Sequence, residues 1–381
     1  MRIEKIRIYN LNIPFCRMVK HGLFSRSKTE NIIIVLQDSL GNKGFGEGTP
    51  RHYVTGENLD ECLKSAETLS HEFLGQQFES FDDVTATLSV IGNSIDAQKT
   101  PAAFCAMETA VLDMWSRFKQ VPIWRLFTSD KLSDALFYSG VIPHFGHEYE
   151  LLQFIEQIKK LEFRAVKVKI IDPEDGLSQL KLVREKLGSA IDVRIDANAV
   201  FSVEDAIKFI KRAKTIRLSA VEQPVRKNDL KGLKKVSRNS DIPIIADESM
   251  YTSEGPFYLI ENDVCHGLNI RLSSCGGFRK ALEIFQRAHA KNMTVVIGAH
   301  VGETAILSYA GRNIAVICPE SRYLEGSYSR YVLKEDLVPE NISFGPGGCA
   351  PTPSGFGLGI EIDETSIASW SSLCASVDSW G

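Results

Sequence analysis

The sequence predicts an α/β protein, a (β/α)8 barrel over residues 131–330 preceded by an α+β unit over residues 1–130. Two observations carry this. From Leu136 onward, short apolar β-branched runs alternate with helical stretches, near 136–142, 164–170, 191–196, 217–222, 242–247, 266–272, 293–298 and 322–325. Eight runs is the strand number of such a barrel, and short βα spacing favours parallel strands. Within the series, Asp196, Glu222 and Asp247 each close one run, separated by one helix and one strand.

Before residue 130 the order is different. Strand-like segments at 2–13 and 29–37 and a Gly41-Asn42-Lys43-Gly44 turn precede helical patterns at 57–74, 80–92 and 101–119, strands first and helices after. In the barrel, Ala281, Ile284, Phe285 and Ala288 mark one apolar helix face. Residues 331–381 break the rhythm with Gly345-Pro346-Gly347-Gly348 and Pro351-Thr352-Pro353, and are expected to pack back on the N-terminal unit.

Composition narrows the function. At 381 residues and 44% hydrophobic the chain can bury a large core, and a net charge of -4 gives no reason to expect nucleic acid or an anionic membrane as partner. A small-molecule partner is expected instead. Eight cysteines lie scattered without a close pair, which excludes a disulfide framework and a zinc knuckle. The N-terminal stretch alternates like a strand instead of presenting a signal peptide, and no run reaches the ~20 apolar residues of a membrane span. The expected location is the cytoplasm.

Strand ends in a (β/α)8 barrel converge on its C-terminal mouth, so the three carboxylates point into one space. Hard oxygen donors without Cys or His suit Mg2+ or Mn2+. Asp196 or Asp247 alone would be read as a helix N-cap; the series is what argues for a metal. Lys167 and Lys169 in Val166-Lys167-Val168-Lys169-Ile170 share one strand face, so both ammonium groups are expected to enter the same mouth.

The Lys167/Lys169 pair, the Asp-Ala-Asn, Glu-Gln-Pro and Asp-Glu-Ser settings of the three acids, and Asn269-Ile270-Arg271 before Gly276-Gly277 resemble the enolase superfamily. Within it, the muconate lactonizing enzyme and dipeptide epimerase branch is the one they resemble, with Gly46-Glu47-Gly48 and Gly357-Leu358-Gly359 extending the similarity over nearly the whole chain. The resemblance implies a modified barrel under an N-terminal capping domain, a metal held by Asp196, Glu222 and Asp247, and a small carboxylic acid as substrate. It implies abstraction of the proton α to the carboxylate by Lys169 through a metal-stabilised enolate, then isomerization, cyclization or elimination. Lys167 is expected to tune Lys169 by like-charge repulsion, and Asn198, Glu248 and Arg271 to orient the ligands. A homo-oligomer is expected. A member that binds a carboxylate without turnover, and a two-base racemase using Lys169 and His300, are the alternatives.

The sequence also departs from that pattern. Ser274 stands where the branch carries a second lysine, which puts two-lysine racemization in doubt; His300, at the end of the seventh run, is the candidate replacement. Glu325 and Ser327 occupy the place of an Asp-x-Asp that holds a substrate ammonium. Residues 18–30, with His21 and Arg26, fall where the family has its mobile lid, and Arg51, His52 and Tyr53 are expected to border the same pocket.

Overall fold

The computed structural model describes residues 1–21, 24–129 and 133–379. Its strands are β1 (Lys5–Leu11), β2 (Pro14–His21), β3 (Phe24–Lys28), β4 (Asn31–Gln37), β5 (Lys43–Gly48), β6 (Ala135–Phe137), β7 (Gly140–Ile142) and β8 (Ala165–Lys169). There follow β9 (Asp192–Asp196), β10 (Val221–Glu222), β11 (Ile244–Ala246), β12 (Gly267–Arg271), β13 (Thr294–Gly298), β14 (Tyr323–Leu324), β15 (Cys349–Pro351) and β16 (Ser371–Asp378). Strands β7 to β14 form one eight-stranded sheet in chain order, with parallel neighbours throughout. A Tyr138–Leu324 bridge, with the Ser139 N–H donating to the Leu324 carbonyl at 2.9 Å, joins the two ends and closes the sheet into a barrel.

Alternation decides what faces inward. On β8, Val166 and Val168 are fully buried on one face and Lys167 and Lys169 alternate with them; on β9, Val193 and Ile195 alternate with Arg194 and Asp196. The barrel interior toward its C-terminal end is therefore ionic, while the apolar alternates bury against the surrounding helices. Those helices start on side-chain caps set by the sequence: Asp172 accepts from the N–H groups of Glu174 and Asp175, Ser202 from Asp205, Asp229 from Gly232.

The N-terminal sheet runs β16-β1-β4-β5, antiparallel at each pairing. Gly44, Gly46 and Gly48 on β5 let the helix Pro101–Phe118 lie directly on the strand; a Cβ on Gly46 would stand 1.8 Å from the Ala106 carbonyl oxygen. Glu47, between two of these glycines, faces the other way and is fully buried. It accepts the N–H groups of Thr304 and Leu307 and the Thr304 hydroxyl, fastening the first turn of the barrel helix Ala305–Ile317 to the cap.

The run at 136–142 divides. Residues 135–137 form β6, which leaves the barrel to pair antiparallel with β15, and only 140–142 enter the barrel as β7. Gly348, at φ +70°, lies so close to the Tyr138 carbonyl, 2.2 Å from where its Cβ would be, that the C-terminal segment wedges the run apart. The stretch 2–13 ends as a strand at Leu11, and a separate hairpin of β2 and β3 follows across 14–28.

Candidate active site

Register brings the strand-end residues together. Lys169 pairs with Asp196, Asp196 with Glu222, and Asp247 follows β11 directly. Lys169 donates to Asn198 Oδ1 at 3.0 Å and stands 3.6 Å from Asp196 Oδ2. Its side chain keeps 19% exposure, against 4% for Lys167, so of the two it is the one that a ligand can reach.

Lys167 lies deeper. It donates to Glu222 Oε1 at 3.1 Å and to the Glu325 carboxylate at 2.8 Å, with Asp196 Oδ2 at 3.7 Å. Burial opposes its charge, but Glu222, Glu325 and Asp196 outweigh that and hold the ammonium well above the usual lysine range. Arg194, fully buried, pairs with Glu325 and donates to Ser139 Oγ at 3.0 Å. Burial alone would raise Glu325, yet Lys167 and Arg194 hold its carboxyl at about 2. Glu325 is thus spent inside the barrel on two cations. Ser327 accepts a hydrogen bond from Arg312 at 3.1 Å. These partnerships engage Glu325 and Ser327, the residues expected to contact the substrate, with cations of the protein itself.

The acids leave oxygens over. Glu222 Oε2, Asp247 Oδ1 and Glu248 Oε2 are buried without a hydrogen-bond partner, an arrangement that costs free energy unless a cation satisfies them. Burial, with the neighbouring carboxylates adding to it, pushes Glu222 up to about 8 against Lys167 and Asp247 up to about 7 against Arg271. As the side chains stand, no group of three His, Cys, Asp or Glu among the described residues is arranged to hold an ion. Arg271 donates to Asp247 Oδ2, and Lys167 to Glu222. The donor set of Asp196, Glu222 and Asp247 consists of hard carboxylates, two of them with orphaned oxygens, and fits Mg2+.

Several groups that hold these acids went unassigned in the sequence reading. Gln223, at φ +36°, accepts the N–H groups of Asp247 at 2.9 Å and Ser249 at 3.1 Å and donates to Ser249 Oγ at 2.8 Å. It clamps the loop that presents Asp247. Asn269 donates to Glu222 Oε1 at 2.9 Å. Asn269 was legible from period-two alternation on its strand, whereas nothing in the Glu-Gln-Pro tripeptide announces the role of Gln223. Of the expected orienting residues, Asn198 donates its N–H to Asp196 Oδ1 at 3.0 Å and its amide to Glu248 at 3.4 Å, and Arg271 reaches Asp247.

Ser274, expected from the resemblance to replace a second lysine, lies on the short helix Leu272–Cys275 that follows β12 and is not isolated. Ser274 Oγ lies 2.7 Å from His300 Nε2, and Arg271 Nη1 lies 3.4 Å from His300 Nδ1. The His300 N–H donates to Glu303 Oε1 at 2.5 Å. Arg51, buried, bonds the Val301 carbonyl at 3.1 Å and Asn31 Oδ1 at 3.0 Å, tying this loop to the cap. Ser274 also borders a cavity of about 690 Å³ between cap and barrel, lined among others by Phe104, Met250, Tyr251, Arg279 and Lys280.

The segment expected to form a lid is the β2–β3 hairpin. Arg26 pairs there with Glu30 at 2.9 Å, the His21 side chain and residues 22–23 lie outside the described set, and His52 is exposed. Among the described residues no helix is long and apolar enough to cross a membrane.

Known proteins are similar to this chain in sequence and fold. A hydrophobic dipeptide epimerase of Enterococcus faecalis is 26% identical over 83% of this chain and 87% of its own length. An L-Ala-D/L-Glu epimerase of Bacillus subtilis is 27% identical over 94% and 97%. Among solved structures, the dipeptide epimerase of Enterococcus faecalis complexed with Mg and the dipeptide L-Leu-L-Tyr superposes with a TM-score of 0.86 at 24% identity, covering 95% of this chain and all of that one. Residues 150–366, more than half of the sequence, match the family described as enolase C-terminal domain-like, and the chain belongs to that family, within the enolase superfamily.

Proposed function

We propose that the protein is a Mg2+-dependent isomerase or lyase in which Lys169 removes the proton α to the carboxylate of a small carboxylic acid. The observation that carries this is Lys169 itself: partly exposed, oriented by Asn198 at 3.0 Å, and flanked by Asp196 at the head of the acid series. Mg2+ held by Asp196, Glu222 and Asp247 would supply positive charge to the substrate carboxylate, and with it the electrostatic stabilisation that α-proton abstraction requires. Lys167 holds Glu222 and Asp196 in place, Gln223 holds the Asp247 loop, and Asn269 fixes the rotamer of Glu222.

With Ser274 where the resemblance expects a second lysine, Lys169 works on one face of the substrate. The carbanionic product of abstraction then expels a leaving group, closes a ring, or is reprotonated on the face it came from. The epimerase activity of the relatives favours a second reading, in which His300 serves as base on the other face. Incubating the Mg2+-loaded protein in D2O with L-Ala-L-Glu, N-succinyl-L-arginine and a panel of free acids separates these readings. Deuterium uptake at Cα of one enantiomer only is expected; equal exchange of both would favour the two-base alternative, and no exchange with any acid would leave only carboxylate binding.

A further inference from the structure

The cavity of about 690 Å³ between cap and barrel is not the barrel mouth, since none of Lys167, Lys169, Asp196, Glu222, Asp247 or Glu325 lines it. Its walls come from the end of the cap helix Phe81–Gly92, the start of Pro101–Phe118, the turn Glu248–Tyr251 and the barrel helix Phe278–Ala290. That volume is what a small organic ligand fills. Phe104, Met250 and Ile284 supply apolar surface, while the charged side chains of the lining are Lys99, Arg279, Lys280 and Glu283. Three cations stand against one carboxylate, and Glu283 is already shared between Lys280 at 3.1 Å and Arg287 at 3.0 Å. Positive charge is left over.

Arg279 is the least committed of these cations. Among the described residues its guanidinium donates no hydrogen bond, its Nε is buried without a partner, and its ion pair is with Glu108 at 3.5 Å. Glu108 is a weak counterion near neutral pH, because burial pushes its carboxyl up to about 7, and its Oε1 already accepts the Arg279 backbone N–H at 3.3 Å. The sequence makes room for the guanidinium: a Cβ on Gly92 would stand 2.8 Å from both Arg279 Nη2 and the Phe104 ring. Charge and aromatic surface therefore lie side by side. A guanidinium fork meets a carboxylate or phosphate through two parallel hydrogen bonds. The helix N-termini at the cavity are taken, since Glu57 accepts the Ala102 N–H at 2.8 Å and Glu108 that of Arg279.

We propose that this cavity is a second ligand site, separate from the barrel mouth, for a small organic anion: a carboxylate or phosphate carried on an apolar body. Arg279 holds the anionic group, Lys99 and Lys280 add charge, and Phe104 and Met250 receive the body. The site does not depend on Lys169 being a base.

The test is calorimetry on the full-length Mg2+-loaded protein with phenyl phosphate, benzoate and the neutral benzyl alcohol. At least one of the two anions should bind about tenfold or more tightly than benzyl alcohol, and the tighter of them identifies the anionic group. Arg279→Gln should remove most of that preference, and so should Ser89→Trp, which places an indole at the cavity from a half-buried helix position. Lys99→Glu, at an exposed position, tests the same charge without touching Glu108 and should weaken the anion severalfold. Glu222→Gln separates this site from anion binding at the metal and should leave the affinity unchanged. Absent anion binding, equal affinity for benzyl alcohol, or an affinity that survives Arg279→Gln and Ser89→Trp in folded protein would overturn the proposal, as would its loss in Glu222→Gln.

Discussion

The two halves of the barrel mouth are built on opposite principles. On the β8–β10 and β14 side, Lys167, Arg194, Glu222 and Glu325 form a buried lattice in which each of the two cations meets a carboxylate directly. On the β12–β13 side, Arg271, His300 and Ser274 form a row of hydrogen-bonding groups that ends in the ion pair of Arg271 with Asp247. A lattice of mutual charges holds position against disturbance but offers little to a ligand. The first side is held by charge against charge, the second by hydrogen bonds that lead from one ion pair.

The sharpest way to break the comparison is at the lattice's exposed corner. Lys169→Ala should lower α-proton exchange in D2O by about a thousandfold or more, the scale of a lost general base, while Mg2+ binding measured by calorimetry persists. Exchange at the parental rate would place the base on the other side of the mouth. Within the lattice, Arg194→Met leaves Glu325 with one cation instead of two, fully buried, and should cost about 3–4 kcal/mol in urea unfolding. A loss below about 1 kcal/mol, the range of surface pairs, would show the lattice to be far wetter than its burial implies.

The second side has its own anchor, and pH reads it. Glu108 of the cap lies against Gly277, accepts the Arg279 N–H at 3.3 Å and is fully buried, which pushes its carboxyl up to about 7. Because the folded pKa lies above the unfolded value of 4.5, its contribution is complete below that value and is lost as pH rises through about 7. Glu108→Gln should flatten the fall in stability across that window, by up to about 3 kcal/mol at its upper end. An unchanged pH profile would mean that Glu108 is not the group responsible. The smallest expected effect links the halves: Glu222→Gln should weaken Mg2+ at least about tenfold in a folded barrel, since one of three anionic ligands becomes neutral. Unaltered affinity would remove Glu222 from the metal set.

The barrel was legible because its evidence is periodic. Each βα unit repeats the same apolar run, and Asp196, Glu222 and Asp247 fall at the same phase of three successive units. What stayed hidden depends on contacts between residues far apart in sequence. Nothing local distinguishes Glu325 as a ligand-binding acid from Glu325 as the counterion of Lys167 and Arg194, whose partners lie 158 and 131 residues away. The Ser274–His300 contact was hidden for the same reason, each residue having been read separately as a departure from a pattern. The division of the run at 136–142 follows from a glycine more than 200 residues later.

The pairing of β16 with β1 sets an order of events in synthesis. The cap sheet holds β1 between β4, made within the first forty residues, and β16, which supplies partners from Asp378 opposite Lys5 to Ser371 opposite Leu11. One edge of β1 therefore waits for the entire barrel to emerge from the ribosome before it is covered. An uncovered edge strand invites pairing with another chain. The interval between completing β1 and completing β16 is thus when a nascent chain is most exposed to mispairing, and slowing translation through the barrel should raise aggregation more than slowing it through the cap.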